Sequence, residues 1–282
     1  MQGLPPWVTR HLLADADFAT AYGAQADWQL AALKTCLARL WILHPPSSGQ
    51  LEIRREVRRQ GFVTESRRAP RPWALVTLDG AFAAPARLLA GLVPLATAGI
   101  PQVFIVRVGQ GDWPPALLAA LELAGVETAA GLPGPGRLAE LVQALEQSSG
   151  PGLVVGLSAG LEPPAACRSA FWRPQGSGEV AVWVENDLPW DWRVLAFAQA
   201  GCRITAYNAQ RSRRGVRRRQ GDWPTFLACG ADLAAVPEAL AEEALSSFPV
   251  VLAPGQEAVF AWPDFPRDLC LSHALAVLGA PS

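Results

Sequence analysis

Trp73-Ala-Leu-Val-Thr-Leu78 is the stretch on which the reading of the fold turns. Six residues without a charge, closed by Asp79-Gly80, predict a strand buried on both faces. Pro85 to Ala98 follows as an apolar helix ended by Gly99, the residue type that adopts a left-handed cap at least cost. Val103-Phe-Ile-Val-Arg-Val108 repeats the strand pattern, and Pro114-Pro115 opens a helix over Ala116 to Ala124 that Gly125 closes. A short strand near Val126 to Ala130, a helix from Gly136 to Gln147 and a strand from Gly152 to Leu157 continue the alternation. Helices of this length are the crossovers that parallel strands require, so the stretch predicts a Rossmann-like α/β lobe with a parallel sheet.

On the amino-terminal side, Pro5 to Ile42 reads as helical, with Leu30, Leu33, Leu37 and Leu40 at helical spacing and His44 to Gly49 as its end. Leu51 to Arg71 is rich in arginine and reads as a solvated face and linker. On the carboxyl side, a loop with Pro163, Pro164, Pro174, Gly176 and Gly178 leads to a strand over Glu179 to Val184. A helix over Trp190 to Ala200 and a strand over Cys202 to Tyr207 come next. Arg211 to Arg219 holds six arginines in nine residues and reads as an exposed loop. Apolar segments return at Phe226 to Leu240, mostly as helix, then at Val250 to Leu252, Val259 to Trp262 and Leu269 to Leu278.

Composition bounds the function. Among 282 residues 17% are charged and the formal net charge is -1, which exerts no global pull on nucleic acid or a membrane. The first twenty residues have no apolar run behind a basic start, and no stretch is apolar for a bilayer's length. Five cysteines, none in a C-x-x-C pair, match neither a disulfide frame nor a zinc knuckle, and a reducing cytoplasm is the expected setting.

Five stretches, in order, resemble the histidinol dehydrogenase family, a branch of the aldehyde dehydrogenase-like fold. They are Leu92 to Gly99 with Val103 to Val106, Pro115 to Val126, Arg173 to Val180, Ala198 to Cys202, and Ser272 to Gly279. The resemblance implies two Rossmann-like lobes with parallel sheets and a site between them. Residues 1–72 and 178–282 would make the lobe carrying the candidate site, and 73–177 an inserted lobe. In that family zinc is held by a Q-x-x-H pair, an Asp and a tail His. Here Gln199 falls on the Gln, Cys202 on the His, and Asp264 or Asp268 near the Asp, while no tail His follows before Ser282. The family's Glu-His pair would fall near Cys229-Gly-Ala-Asp-Leu233, which contains neither residue. Alcohol oxidation needs a base and a hydride acceptor, and the groups for both are replaced.

The expected role is therefore that of a histidinol dehydrogenase-like protein without that activity, binding a small-molecule ligand or a partner. An alternative is an NAD(P)-linked aldehyde oxidoreductase with Cys202 as nucleophile and His273 at the substrate. A further alternative is an adaptor that takes acidic partners on Arg211 to Arg219. Zinc on Gln199, Cys202 and Asp268 is the minor metal reading. Beside each stands a plainer account: Cys202 as a buried space-filler, His273 as a hydrogen-bonded structural residue, the arginines as a solvated loop. Eleven tryptophans leave room for an oligomer contact.

Overall fold

A computed structural model describes residues 4–46, 51–158, 160–162, 167–185 and 190–279. Ser47 to Gly49, Pro163 and Pro164, named above as turn signals, lie outside the described residues. After a 3-10 turn at Val8–His11 come helices α1 (Asp15–Gly23) and α2 (Asp27–Leu43). Leu33, Cys36 and Leu40 of α2 are buried, which is the apolar stripe that its leucine spacing predicts. Gln29 Oε1 accepts from the Ala26 amide at 2.8 Å, which satisfies one free donor at the start of α2.

Strand β3 (Ala74–Asp79) leads to helix α3 (Pro85–Thr97), and the alternation continues with β4 (Val103–Val108), α4 (Pro115–Ala124), β5 (Ala129–Leu132), α5 (Pro135–Ser149), β6 (Leu153–Gly156) and β7 (Ala170–Trp172). These five strands form one parallel sheet in the order β5-β4-β3-β6-β7. Residues 75, 76 and 78 of β3 are fully buried, as an uninterrupted apolar strand requires between two helical layers. Gly152 at the foot of β6 is obligatory: a Cβ there would lie 2.3 Å from the ring of Trp73.

The second parallel sheet is built from β8 (Glu179–Trp183), β9 (Arg203–Tyr207), β10 (Val216–Arg219), β11 (Leu233–Ala235) and β12 (Val250–Leu252), in the order β10-β9-β8-β11-β12. Helix α6 (Trp192–Ala198) connects β8 to β9, and the short α7 (Trp223–Leu227) and α8 (Ala241–Ala244) lie on either side of β11. The architecture is α/β, with two Rossmann-like parallel sheets. One apolar cluster runs through both halves, joining Leu33 and Leu40 of α2 and Leu88 and Leu92 of α3 to Val180 of β8 and Leu233 of β11.

A third sheet differs from the sequence reading. The arginine-rich stretch is no linker: β1 (Glu52–Arg58) and β2 (Phe62–Pro70) form an antiparallel hairpin, and β13 (Leu271–Gly279) pairs with β2 to complete the order β1-β2-β13. The apolar segment Leu269 to Leu278 is thus mostly strand, and His273 sits on it. Phe226 to Leu240 is mostly not helix either. Its centre, Leu233–Ala235, is a strand buried between β8 and β12. The Arg211 to Arg219 loop ends in β10, whose last three residues are exposed on the sheet edge. Arg71 ties the hairpin to both halves, donating from Nε to the Leu269 carbonyl at 2.6 Å and from Nη1 to the Gly152 carbonyl at 3.2 Å.

Candidate functional site

In the first sheet the chain order reverses between β3 and β6, and the carboxyl ends of those strands are where an open α/β sheet presents a crevice. Asp79 ends β3 and Ser158 follows β6. Ser158 Oγ accepts from the Asp79 amide at 2.9 Å, which stitches the two strand ends together. Across from them the second half contributes Gly176 to Gly178, before β8, and Ala200 to Cys202, before β9. Gly201 has φ +80° and approaches Ala81 and Ala83, so the turn before Cys202 is closely fitted to the loop after β3. Between these segments lies a cavity of about 210 Å³, walled also by Arg87 and Trp262.

Arg87, in the first turn of α3, is 4% exposed. Its Nε donates to Gln199 Oε1 at 2.9 Å and its Nη1 to Asp232 Oδ2 at 3.1 Å. The guanidinium carbon lies 4.5 Å from the Phe260 ring centre and 5.4 Å from that of Trp262, whose Nε1 donates to the Arg87 carbonyl at 3.1 Å. Asp232 also accepts from the Ser177 amide at 2.7 Å, the Ser177 hydroxyl at 3.2 Å and the Gly178 amide at 2.6 Å. A buried charge demands such a set of partners, because desolvation otherwise pushes it to neutralise or unfold the site. Two donors in this cluster are left over: Arg87 Nη2 and Gln199 Nε2 are shut off from solvent with no hydrogen-bond partner among the described residues.

Cys202 is half-buried on the cavity wall. Burial pushes its thiol pKa up, the positive charge of Arg87 pulls it down, and the negative charge of Asp232 adds to the rise. The net direction is upward, which disfavours the thiolate.

Comparison with solved structures gives this arrangement its setting. A histidinol dehydrogenase from Elizabethkingia anophelis is similar with a TM-score of 0.57 and 11% identity, over 96% of this chain and 77% of its own. PutA from Anabaena variabilis, a provisional aldehyde dehydrogenase, gives 0.50 and 11%, over 95% and 84%. The fold is that of the histidinol and aldehyde dehydrogenases. No protein-family model matches the sequence, and no curated protein does.

Within this fold the sequence-predicted residues part company. Gln199 and Cys202 stay together, the Cys202 amide donating to the Gln199 carbonyl at 3.0 Å. His273 is elsewhere: it is exposed on β13, opposite Arg68 of β2, and borders a surface depression with Glu52, Arg54 and Ser66. Asp268 is exposed on the 3-10 turn Arg267–Cys270. Zinc does not fit this set. The Gln199 oxygen that would face a metal already accepts from a guanidinium, and no group of three His, Cys, Asp or Glu side chains able to hold a metal forms among the described residues. Nor does the turn after β3 suit a dinucleotide pyrophosphate. Asp79 Oδ1 accepts from the Ala81 and Phe82 amides at 2.9 Å each, so that turn presents a carboxylate where free N–H groups would be needed.

Arg87 and Asp232 are the residues that sequence reading missed. A signal for the first was present, since Arg87 is the only charge in the otherwise apolar run Pro85 to Ala98. Such a charge has to find a partner.

Proposed function

We propose that this chain is a divergent histidinol dehydrogenase-like protein that binds a small ligand in the cleft between its two halves and does not oxidise histidinol by that family's route. One observation carries the reading. Gln199, which falls on the family's zinc-binding glutamine, and Asp232, in the stretch where its Glu-His pair would lie, are both engaged by Arg87. An acceptor held by a guanidinium is a poor metal ligand, and a carboxylate whose oxygens already accept from four donors is occupied where a substrate proton would have to be received. Residues 73–177 form the inserted lobe of this reading, and 1–72 with 178–282 the lobe that carries Gln199, Cys202 and Asp232.

The second reading is an NAD(P)-linked aldehyde oxidoreductase, favoured by the position of Cys202 on the cavity wall. Its thiolate would add to the aldehyde carbon, the hemithioacetal would pass hydride to the nicotinamide, and water would release the acid from the thioester. The raised thiol pKa weighs against it. The exposed arginines of the Arg211 to Arg219 loop keep an adaptor role for acidic partners as a third reading.

Thermal-shift titration with NAD+ and NADP+, in parallel with an aldehyde oxidation assay, separates the first two. We expect no stabilisation and no turnover. Cofactor-dependent aldehyde oxidation that disappears in Cys202→Ser would overturn the non-catalytic reading.

A further inference from the structure

We propose that two copies of this chain pair antiparallel through the outer edges of their β13 strands, closing a six-stranded sheet about a twofold axis at Leu275. The two edges of the sheet β1-β2-β13 differ. Every residue of β1 except Ile53 and Val57 is charged, and charge on an edge strand discourages pairing with other chains. β13 has nine residues, no Asp, Glu, Lys, Arg or Pro, and no strand on its outer side among the described residues. Its Leu275 is 70% exposed and its Val277 64%. A long, uncharged, apolar edge of this kind is a template for a further strand. The sheet's principal contacts are among its own strands and, through β13, with the turn Arg267–Cys270. Three strands without a helix layer gain stability from a second set of three.

The register identifies the backbone groups that are free for this pairing. The Cys270 carbonyl accepts from the Arg71 amide, and Leu271 lies opposite Pro70. Hydrogen-bonded and non-bonded pairs alternate along an antiparallel ladder, so Ser272, Ala274, Ala276 and Leu278 bond to β2. His273, Leu275 and Val277 therefore turn their N–H and C=O groups outward. Leu275 is the middle of Leu271–Gly279, so a twofold there brings all nine residues of each copy into the ladder. Leu275 meets its own copy, His273 faces Val277 of the second copy, and the exposed apolar row continues across the axis. β13 brings no formal charge to that axis, and Arg54 with Glu56 and Arg67 with Glu65 already pair within the sheet. A charged peptide finds no counter-charge on this strand, whereas an identical strand meets apolar side chains and backbone alone. Two identical antiparallel strands are related by a twofold, so the assembly stops at two. A specific interface needs about 1,000 Å² in all, and nine residues from each copy with the Leu275 and Val277 side chains reach that order, as for a dissociable dimer.

Sedimentation velocity of the full chain from about 1 to 100 µM, the range suited to an interface near the lower size limit, should show monomer passing into dimer. Leu275→Lys sets two ammonium groups opposite each other and should weaken the dimer at least roughly tenfold. Leu275 is mostly exposed in the single copy, so the variant keeps its fold, which circular dichroism checks. Leu275→Cys reads the register. Residues directly opposite lie about 5.5 Å apart, within disulfide reach, so oxidation by copper phenanthroline should cross-link this variant. Val277→Cys, whose copies would lie about 13 Å apart, should stay uncross-linked, as should the wild type. A chain that remains monomeric to the highest concentration overturns the inference and leaves the edge to a different partner. So does a dimer unaffected by Leu275→Lys, or one that cross-links through Val277→Cys as fast as through Leu275→Cys.

Discussion

Arg87 and Asp232 stand 145 residues apart in the chain and 3.1 Å apart in the fold, one from the helix after β3 and the other from the segment before β11. Both are nine-tenths buried or more, so the contact is a desolvated ion pair joining the two halves of the molecule. Removing one member of such a pair leaves the other charge uncompensated. Arg87→Met is expected to lower stability by about 3–5 kcal/mol. Asp232→Asn should cost at least as much, because Ser177 and Gly178 donate to different carboxylate oxygens, so the new NH2 group must face one of these donors while Arg87 loses its counter-charge. Urea unfolding of the two variants checks the order, and a loss below about 1 kcal/mol for Arg87→Met, the level of an exposed pair, would remove the pair from any stabilising role.

Gly176 allows the Asp232 carboxylate its position. A Cβ there would come within 2.7 Å of the Asp232 Cγ. Gly176→Ala must therefore displace the carboxylate from the Ser177 and Gly178 amides or shift the backbone. We expect a loss of about 1–3 kcal/mol, the usual cost of overpacking. Comparing chemical unfolding midpoints of variant and parent decides it.

The two fully buried thiols set an alkaline limit. Burial pushes Cys36 and Cys270 up to about 12 each, from an ordinary value of 9.0. A thiol pKa that is higher in the folded state means that the unfolded chain gives up its protons first as pH rises. Stability from this source is complete below pH 9 and is lost between about 9 and 12. With both thiols contributing, the slope reaches up to about 2.7 kcal/mol per pH unit. Urea midpoints from pH 8 to 11 should trace it, and Cys36→Ala with Cys270→Ala should flatten the curve after its own cavity cost is subtracted.

Cys202 offers a kinetic measurement of the same electrostatics. Its raised pKa predicts slow alkylation at pH 7 that accelerates as pH increases. The Asp232 charge contributes to that rise, so Asp232→Asn should speed labelling at fixed pH while the protein stays folded. Slower labelling in that variant would contradict the assigned sign.

How much of this was legible in the sequence depended on periodicity. Trp73 to Leu157 announced its strands and helices because the strands are buried on both faces and the helices end at Gly or begin at Pro. The hairpin of β1 and β2 was not legible. Strand β1 is largely exposed and β2 mostly half-buried, and Arg54, Arg55, Arg58, Arg67 and Arg68 give the pair a linker's composition. Leu233-Ala-Ala235 is too short and too rich in alanine to declare itself a strand, and only pairing on both sides makes it one. At the site, Gln199 and Cys202 were found together because four residues of chain connect them. His273 was grouped with them on resemblance, and β13 carries it to a different surface. No local pattern could pair Arg87 with Asp232, since nothing in either segment specifies a partner so far away.

The three-stranded sheet has a consequence for how the chain is made. Each five-stranded sheet comes from one uninterrupted stretch, but Ser272 of β13 donates its hydroxyl proton to the Ala69 carbonyl across 203 residues. At translation rates of about 5–20 residues per second, β2 waits roughly ten to forty seconds for that neighbour. Throughout that interval the edge later covered by β13 is open to other chains, and a chaperone that binds extended segments would find its substrate there.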